Sequence, residues 1–211
     1  ALASQSLTPA HQSQVLGLAV HIGSDFEVAE LLISVADRLP ASGATRDAWR
    51  AALANLSSDF EHRRVLEAML EQRGASSAMV ELALESAEGI GSDFELRNVL
   101  ERAAGHTRGD PAVLAAYAAR AAELGSDFEA REALMALIKA GPVDVAVANA
   151  VLDVATGLSS DFEAGEVLRS LAERMPADEV LVKRYRGLAR GLGDHERGQA
   201  EKALDRFAVV D

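Results

Sequence analysis

The chain has 211 residues, 49% of them apolar, which is enough to bury a core and excludes a disordered polymer. A formal charge of -12 and a pI near 4.9 give a field that repels nucleic-acid phosphates and anionic lipid surfaces, excluding nucleic acid as a partner. No apolar run approaches the ~20 residues that cross a bilayer, and the lack of cysteine excludes disulfides and thiolate metal sites.

Only 4% of residues are aromatic while Ala and Leu abound, a composition that suits closely packed helices. A first residue other than Met points to an upstream region, and Ala1-Leu2-Ala3 resembles the small-residue end of a secretory signal. Residues 1–7 read as an N-terminal tail. Thr8, with Pro9 in the favoured first position, is expected to cap the first helix. Along that helix Val15 precedes Ala19 by one turn. A second helix is expected from Ser24-Asp25-Phe26-Glu27, where Ser and the Glu three residues on form a capping box. The Ser hydroxyl then accepts the Glu N–H, the Glu carboxylate reaches back to the Ser N–H, and Asp25 favours the helix dipole. Gly23, just before, is expected to stop the preceding helix in a left-handed conformation. Phe26, Leu32, Val35, Ala36 and Leu39 recur at helical spacing and read as core.

The pattern then repeats every 34 residues. Ser58, Ser92, Ser126 and Ser160 begin the same string, preceded by Ser57, Gly91, Gly125 and Ser159, with Asp59, Asp93, Asp127 and Asp161 in the first turn. Leu66, Leu100, Leu134 and Leu168 continue the column of Leu32, and Phe128, Leu134, Leu137 and Ile138 read as the fourth copy's core. Between the strings Ser42, Ser76, Asp110, Asp144 and Asp178 continue the caps of Thr8, with Pro111 after one of them. Their helices carry Trp49, Ala83, Tyr117, Val151 and Tyr185 in the column of Val15, one turn before Leu53, Ala87, Ala121, Ala155 and Ala189. The aromatic column is expected in the core, its phenols needing polar partners.

Counting from Thr8 gives six units, 8–41, 42–75, 76–109, 110–143, 144–177 and 178–211. In the last, the string has decayed to Asp194-His195-Glu196-Arg197, as expected of a capping repeat, with His195 in place of the core Phe. Connections of about 2 to 5 residues, near Pro40, Gly74, Gly109, Pro142 and Pro176, leave no linker. The sequence therefore predicts an all-α fold: a right-handed α-solenoid of about six helix-pair repeats and about twelve helices, forming one elongated domain over 8–211.

The period equals that of tetratricopeptide repeats, and Asp110-Pro111 with Tyr117 resembles their Asp-Pro and aromatic spacing. It departs from them where Arg120-Ala121 stand in place of Leu-Gly, and the turn at Gly125 comes about one helical turn early. Gly89-Ile90-Gly91-Ser92-Asp93-Phe94-Glu95 with Val99-Leu100 more closely resembles bacterial repeats of the form Gly-Ile-Ser-Ser-Asp-Tyr-Glu-x-x-x-Val-Leu. Such arrays occur in envelope proteins, including regions after membrane metallopeptidase domains of the beta-lactam-sensor type. The resemblance implies a helical array in a bacterial envelope or signalling protein, periplasmic or membrane-associated; peptidase chemistry does not carry over, because no His-Glu-x-x-His occurs.

Catalysis needs a unique constellation, whereas the Ser, Asp and Glu of the string recur identically five times and read as caps, not as a nucleophile with its acids. His11, His21, His62, His106 and His195 contain no i, i+4 ligand pair, so no metal and no cofactor is expected. Arg63, Arg97 and Arg131 stand four residues after Asp59, Asp93 and Asp127, a spacing that makes ladders of i, i+4 pairs. The same row is the candidate for gripping a partner's carboxylates. The expected function is a non-catalytic scaffold for a protein or peptide partner, monomeric or weakly oligomeric. The alternatives are a self-assembling array and an enzyme with a site in the concave groove.

Overall fold

The computed structural model describes residues 9–36, 43–72 and 74–207, which divide into two compact units, Ala1–Arg102 and Ala103–Asp211. Among the described residues there are twelve α-helices and no strand. The first unit contains α1 (Pro9–Leu18), α2 (Asp25–Val35), α3 (Ala44–Leu53), α4 (Asp59–Leu70), α5 (Ser77–Ser86) and all but the last residue of α6 (Asp93–Ala103). The second contains α7 (Pro111–Ala121), α8 (Asp127–Lys139), α9 (Val145–Ala155), α10 (Asp161–Ala172), α11 (Glu179–Ala189) and α12 (Asp194–Phe207). Within each unit odd helices pack on odd and even on even, as α1 on α3, α2 on α4, α9 on α11 and α10 on α12. That is the packing of a helical repeat.

The predicted caps form wherever they fall on described residues. Ser24, Ser58, Ser92, Ser126 and Ser160 each accept the Glu N–H three residues on at 3.3–3.4 Å. Ser76, Asp110, Asp144 and Asp178 cap the odd helices in the same way, at 2.8–3.3 Å. Thr8, Ser42, Leu39 and Pro40 lie outside the described residues. The helix expected after Ser42 starts at Ala44, with Gly43 at φ 71° ahead of it and no side-chain cap.

Gly23, Gly91 and Gly125 do not adopt the expected left-handed conformation, which among the described residues belongs to Gly43, Gly74 and Gly109. The odd helices instead tighten at their ends. α1 and α5 pass into 3-10 turns at Ala19–His21 and Ala87–Gly89, followed by extended Ile22 and Ile90. No positive φ is needed there, which is why Ser57 and Ser159 can replace Gly.

The Leu column of residues 32, 66, 100, 134 and 168 is wholly buried, with Val35, Ala36, Leu137 and Ile138 beside it. Each such Leu is worth about 1.5–3 kcal/mol of transfer free energy. The odd-helix column is buried at Trp49, Ala83, Tyr117, Val151 and Tyr185, while Val15 in the first repeat is only half-buried. Tyr117 donates to the carbonyl of Ala133 at 2.8 Å and Tyr185 to that of Ala200 at 2.9 Å, each tying an odd helix to the even helix after it. Burial raises the pKa of the Tyr185 phenol, against a smaller opposing effect of Arg169. The indole N–H of Trp49 has no such acceptor.

Candidate functional site

The first turns of the even helices are built differently from the expectation. Both acids of the string act between repeats. Asp25 accepts the Ser58 N–H at 2.8 Å and both the N–H and the hydroxyl of Ser57. Asp59 accepts from the N–H groups of Gly91 and Ser92, Asp127 from those of Ser159 and Ser160, and Asp161 from that of Gly193. The backbone N–H of Ser58, Ser92 and Ser160 is thus taken by the preceding repeat, so the Glu of those three strings does not close the capping box. Glu95 instead receives Arg63, Glu163 receives Arg131, and Glu196 receives Arg169 at 2.6 Å.

The predicted Arg row is therefore paired, and at Arg63 and Arg131 the partners are Glu instead of the Asp at i, i+4. Asp59 and Asp127 are occupied by backbone N–H groups. Arg63 bridges Glu67 at 2.6 Å and Glu95, Arg97 reaches Glu101 at 2.7 Å, and Arg131 bridges Glu132 and Glu163. These three arginine side chains are only 14–17% exposed.

The Phe of the string is not a core residue. Phe26, Phe60, Phe94, Phe128 and Phe162 are 50–57% exposed, and His195 at the equivalent place is exposed too. Phe26 precedes Leu32 by six residues, about 120° around the helix from the buried column. The buried place in the first turn goes to Val28 and to its counterparts His62, Leu96, Ala130 and Ala164. Guanidiniums cover four of the rings: Arg63 over Phe60 at 5.0 Å, Arg97 over Phe94 and Arg131 over Phe128 at 4.9 Å, and Arg64 over Phe26 of the preceding repeat at 5.6 Å. Each of these four repeats thus presents one half-exposed ring braced by a cation whose charge is balanced by Glu. Each cation–π contact contributes about 0.5–1 kcal/mol.

His62 occupies a column that holds buried Val28, Leu96, Ala130 and Ala164 in other repeats. Its ring presses on Gly89, where a Cβ would stand 2.8 Å from the His62 Cε1. Burial lowers its pKa from the ordinary 6.5, outweighing the Asp59 charge and a bond to the Ser86 backbone. Its Nε2 is buried without a partner. The unfolded chain therefore takes up a proton that the folded chain refuses, so His62 removes stability as pH falls below 6.5. Between about pH 7.5 and about pH 5.5 the urea midpoint should fall more for wild type than for His62→Leu, which carries the residue of the next repeat. Parallel pH profiles would show that His62 does not titrate on unfolding.

Two hollows lie in the second unit. One, of about 350 Å³, lies between α9 and α11 and is lined by Leu152, Thr156, Arg184, Gly187, Leu188 and Gly191. The other, of about 340 Å³, lies on α11 among Glu179, Val182, Lys183, Arg186 and Arg190. Among the described residues no three of His, Asp or Glu converge as metal ligands, and no helix is long and apolar enough to cross a membrane. Comparisons with protein-family profiles, with curated proteins and with solved structures found no match.

Proposed function

We propose that this chain is a non-catalytic protein-interaction scaffold, and that its partner meets the even-helix row of Phe rings. The observation that carries the reading is the exposure of the same Phe in five repeats. Folding accounts for the Ser, Asp, Glu and Leu of each repeat, but a half-exposed ring adds little to the core, and recurring exposed apolar surface marks interaction sites. Arg63, Arg97 and Arg131 hold the rings in fixed positions, and with their charges met by Glu they offer guanidinium edges to a partner beside each ring. Aromatic and Arg side chains together are the composition of binding hot spots. The resemblance to bacterial Ser-Asp-Tyr-Glu repeats supports placing the scaffold in an envelope or signalling protein.

The test is selection of a displayed peptide library on the whole chain, followed by titration of the enriched peptides. Phe60→Ser with Phe94→Ser should weaken them at least ~tenfold, about 1.4 kcal/mol, while costing stability no more than the two lost cation–π contacts, about 1–2 kcal/mol, with the fold retained. Equal affinity for the double variant would make the rings part of a structural ladder and put the binding face elsewhere.

A further inference from the structure

The outer side of α11 departs in charge from the rest of this acidic chain. Lys183, Arg186 and Arg190 line its hollow with Val182 and Glu179, and at i, i+3 and i+7 the three cations share one face of the helix. Lys183 and Arg190 form no ion pair among the described residues, while Arg186 reaches Asp205 of α12 at 3.4 Å.

What this face is built for can be read from the preceding repeat. The residues 34 positions earlier on α9 are Ala148, Asn149, Leu152 and Thr156, matching Val182, Lys183, Arg186 and Arg190. All four belong to the side of α9 that α11 covers or borders. Ala148 and Leu152 are buried, Asn149 accepts from Arg184 of α11, and Leu152 and Thr156 line the hollow shared with α11. The face of α11 is thus the counterpart of the face of α9 on which α11 rests.

The charge of its occupant has a template in the first unit. Four repeats before Val182 and Arg186 stand Arg46 and Arg50 on α3. Both pair with Glu85 of α5, the odd helix that rests on α3, Arg46 at 2.5 Å. Burial pushes the Glu85 carboxyl up, but Arg46 and Arg50 together hold it below its usual range. A guanidinium at this position therefore takes a carboxylate from the next odd helix. A face that had only to be soluble could carry the acids that dominate the chain; this one carries three cations, the single acid Glu179 and an apolar residue, and its positive balance is opposite in sign to the net charge of -12. A phosphate polyanion is disfavoured by that same net charge.

We propose that the outer face of α11 docks an acidic amphipathic helix of a partner protein, which sits on Val182 and places a carboxylate on Arg186, as α5 does on α3. This proposal stands apart from the Phe row and does not depend on it. The probe is a helix-stapled peptide with the sequence of residues 76–91, titrated against the whole chain. Saturable binding is expected, weakened at least ~tenfold by Arg186→Glu and by Glu85→Arg in the peptide, with affinity returning when the two reversals are combined. Arg186 is about half exposed, so the variant keeps its fold, and its circular dichroism spectrum checks this. Absence of saturation, or equal binding by Arg186→Glu, overturns the proposal. A wild-type dimer in sedimentation that Arg186→Glu disperses overturns it in favour of a second copy of this chain.

Discussion

Asp127→Ala should lower the unfolding free energy by about 2–4 kcal/mol, because it removes a carboxylate that accepts two backbone N–H groups and leaves both donors without their partner. The Ser160 N–H lies 2.7 Å from Asp127 and the Ser159 N–H 3.2 Å, at the point where one repeat joins the next. Ser160→Ala, which removes only the local cap, should cost less, about 0.5–2 kcal/mol. Asp127→Asn should fall between wild type and Asp127→Ala, since the amide oxygen still accepts while the charge is gone. Urea denaturation of the three variants gives this order directly. An Asp127→Ala protein as stable as wild type would mean that water serves the two N–H groups equally well, and the joint would lose its assigned role.

Arg63→Glu should be of similar size, about 2–4 kcal/mol, because it puts a third carboxylate among Glu67 and Glu95 at a place only 17% exposed. Reversal of an exposed ladder would cost far less, about 0.2–1 kcal/mol. The second half of the experiment is Glu95→Arg combined with Arg63→Glu. Restored opposition of charge should recover more than ~1 kcal/mol relative to the sum of the single changes. Additive effects in this cycle would show that Arg63 and Glu95 are neighbours without being coupled. The same chemistry makes Phe60→Ser and Phe94→Ser the better probes of binding, since they spare the joints between repeats.

The helices were legible because their signals are local. A Ser that accepts from the third residue on, and a Leu that recurs in one column, carry the same meaning in a peptide and in a fold. The Phe of the string reads as core because it is a large apolar side chain beside a helical pattern, yet the six-residue step to Leu32 places the ring off the buried face. The partners of the two acids were harder to see. Their bonds span 32 or 33 residues, and no local rule supplies that geometry. One signal did exist within the chain: the first-turn acid is Asp in all five strings and again at Asp194. A helix dipole accepts Glu as readily, so the fixed short side chain marks a specific reach. The outer face of α11 was visible as charge but had no meaning until α3 and α5 supplied its template.

The joints made by Asp also govern how such an array can change in length. Those of Asp25, Asp59 and Asp127 connect a carboxylate to amides 32 and 33 positions further on, so the stretch from Asp59 to Ser92 acts as a ruler. A residue lost inside that span shifts the amides against the carboxylate: the stretch from Asp161 to the cap residue Gly193 is one residue shorter, and there Asp161 accepts the cap N–H with no second backbone N–H beside it. Removal of a whole repeat returns the next pair of amides to the same place. Growth by duplication of entire units is therefore the route the geometry permits, and size in this architecture is quantised.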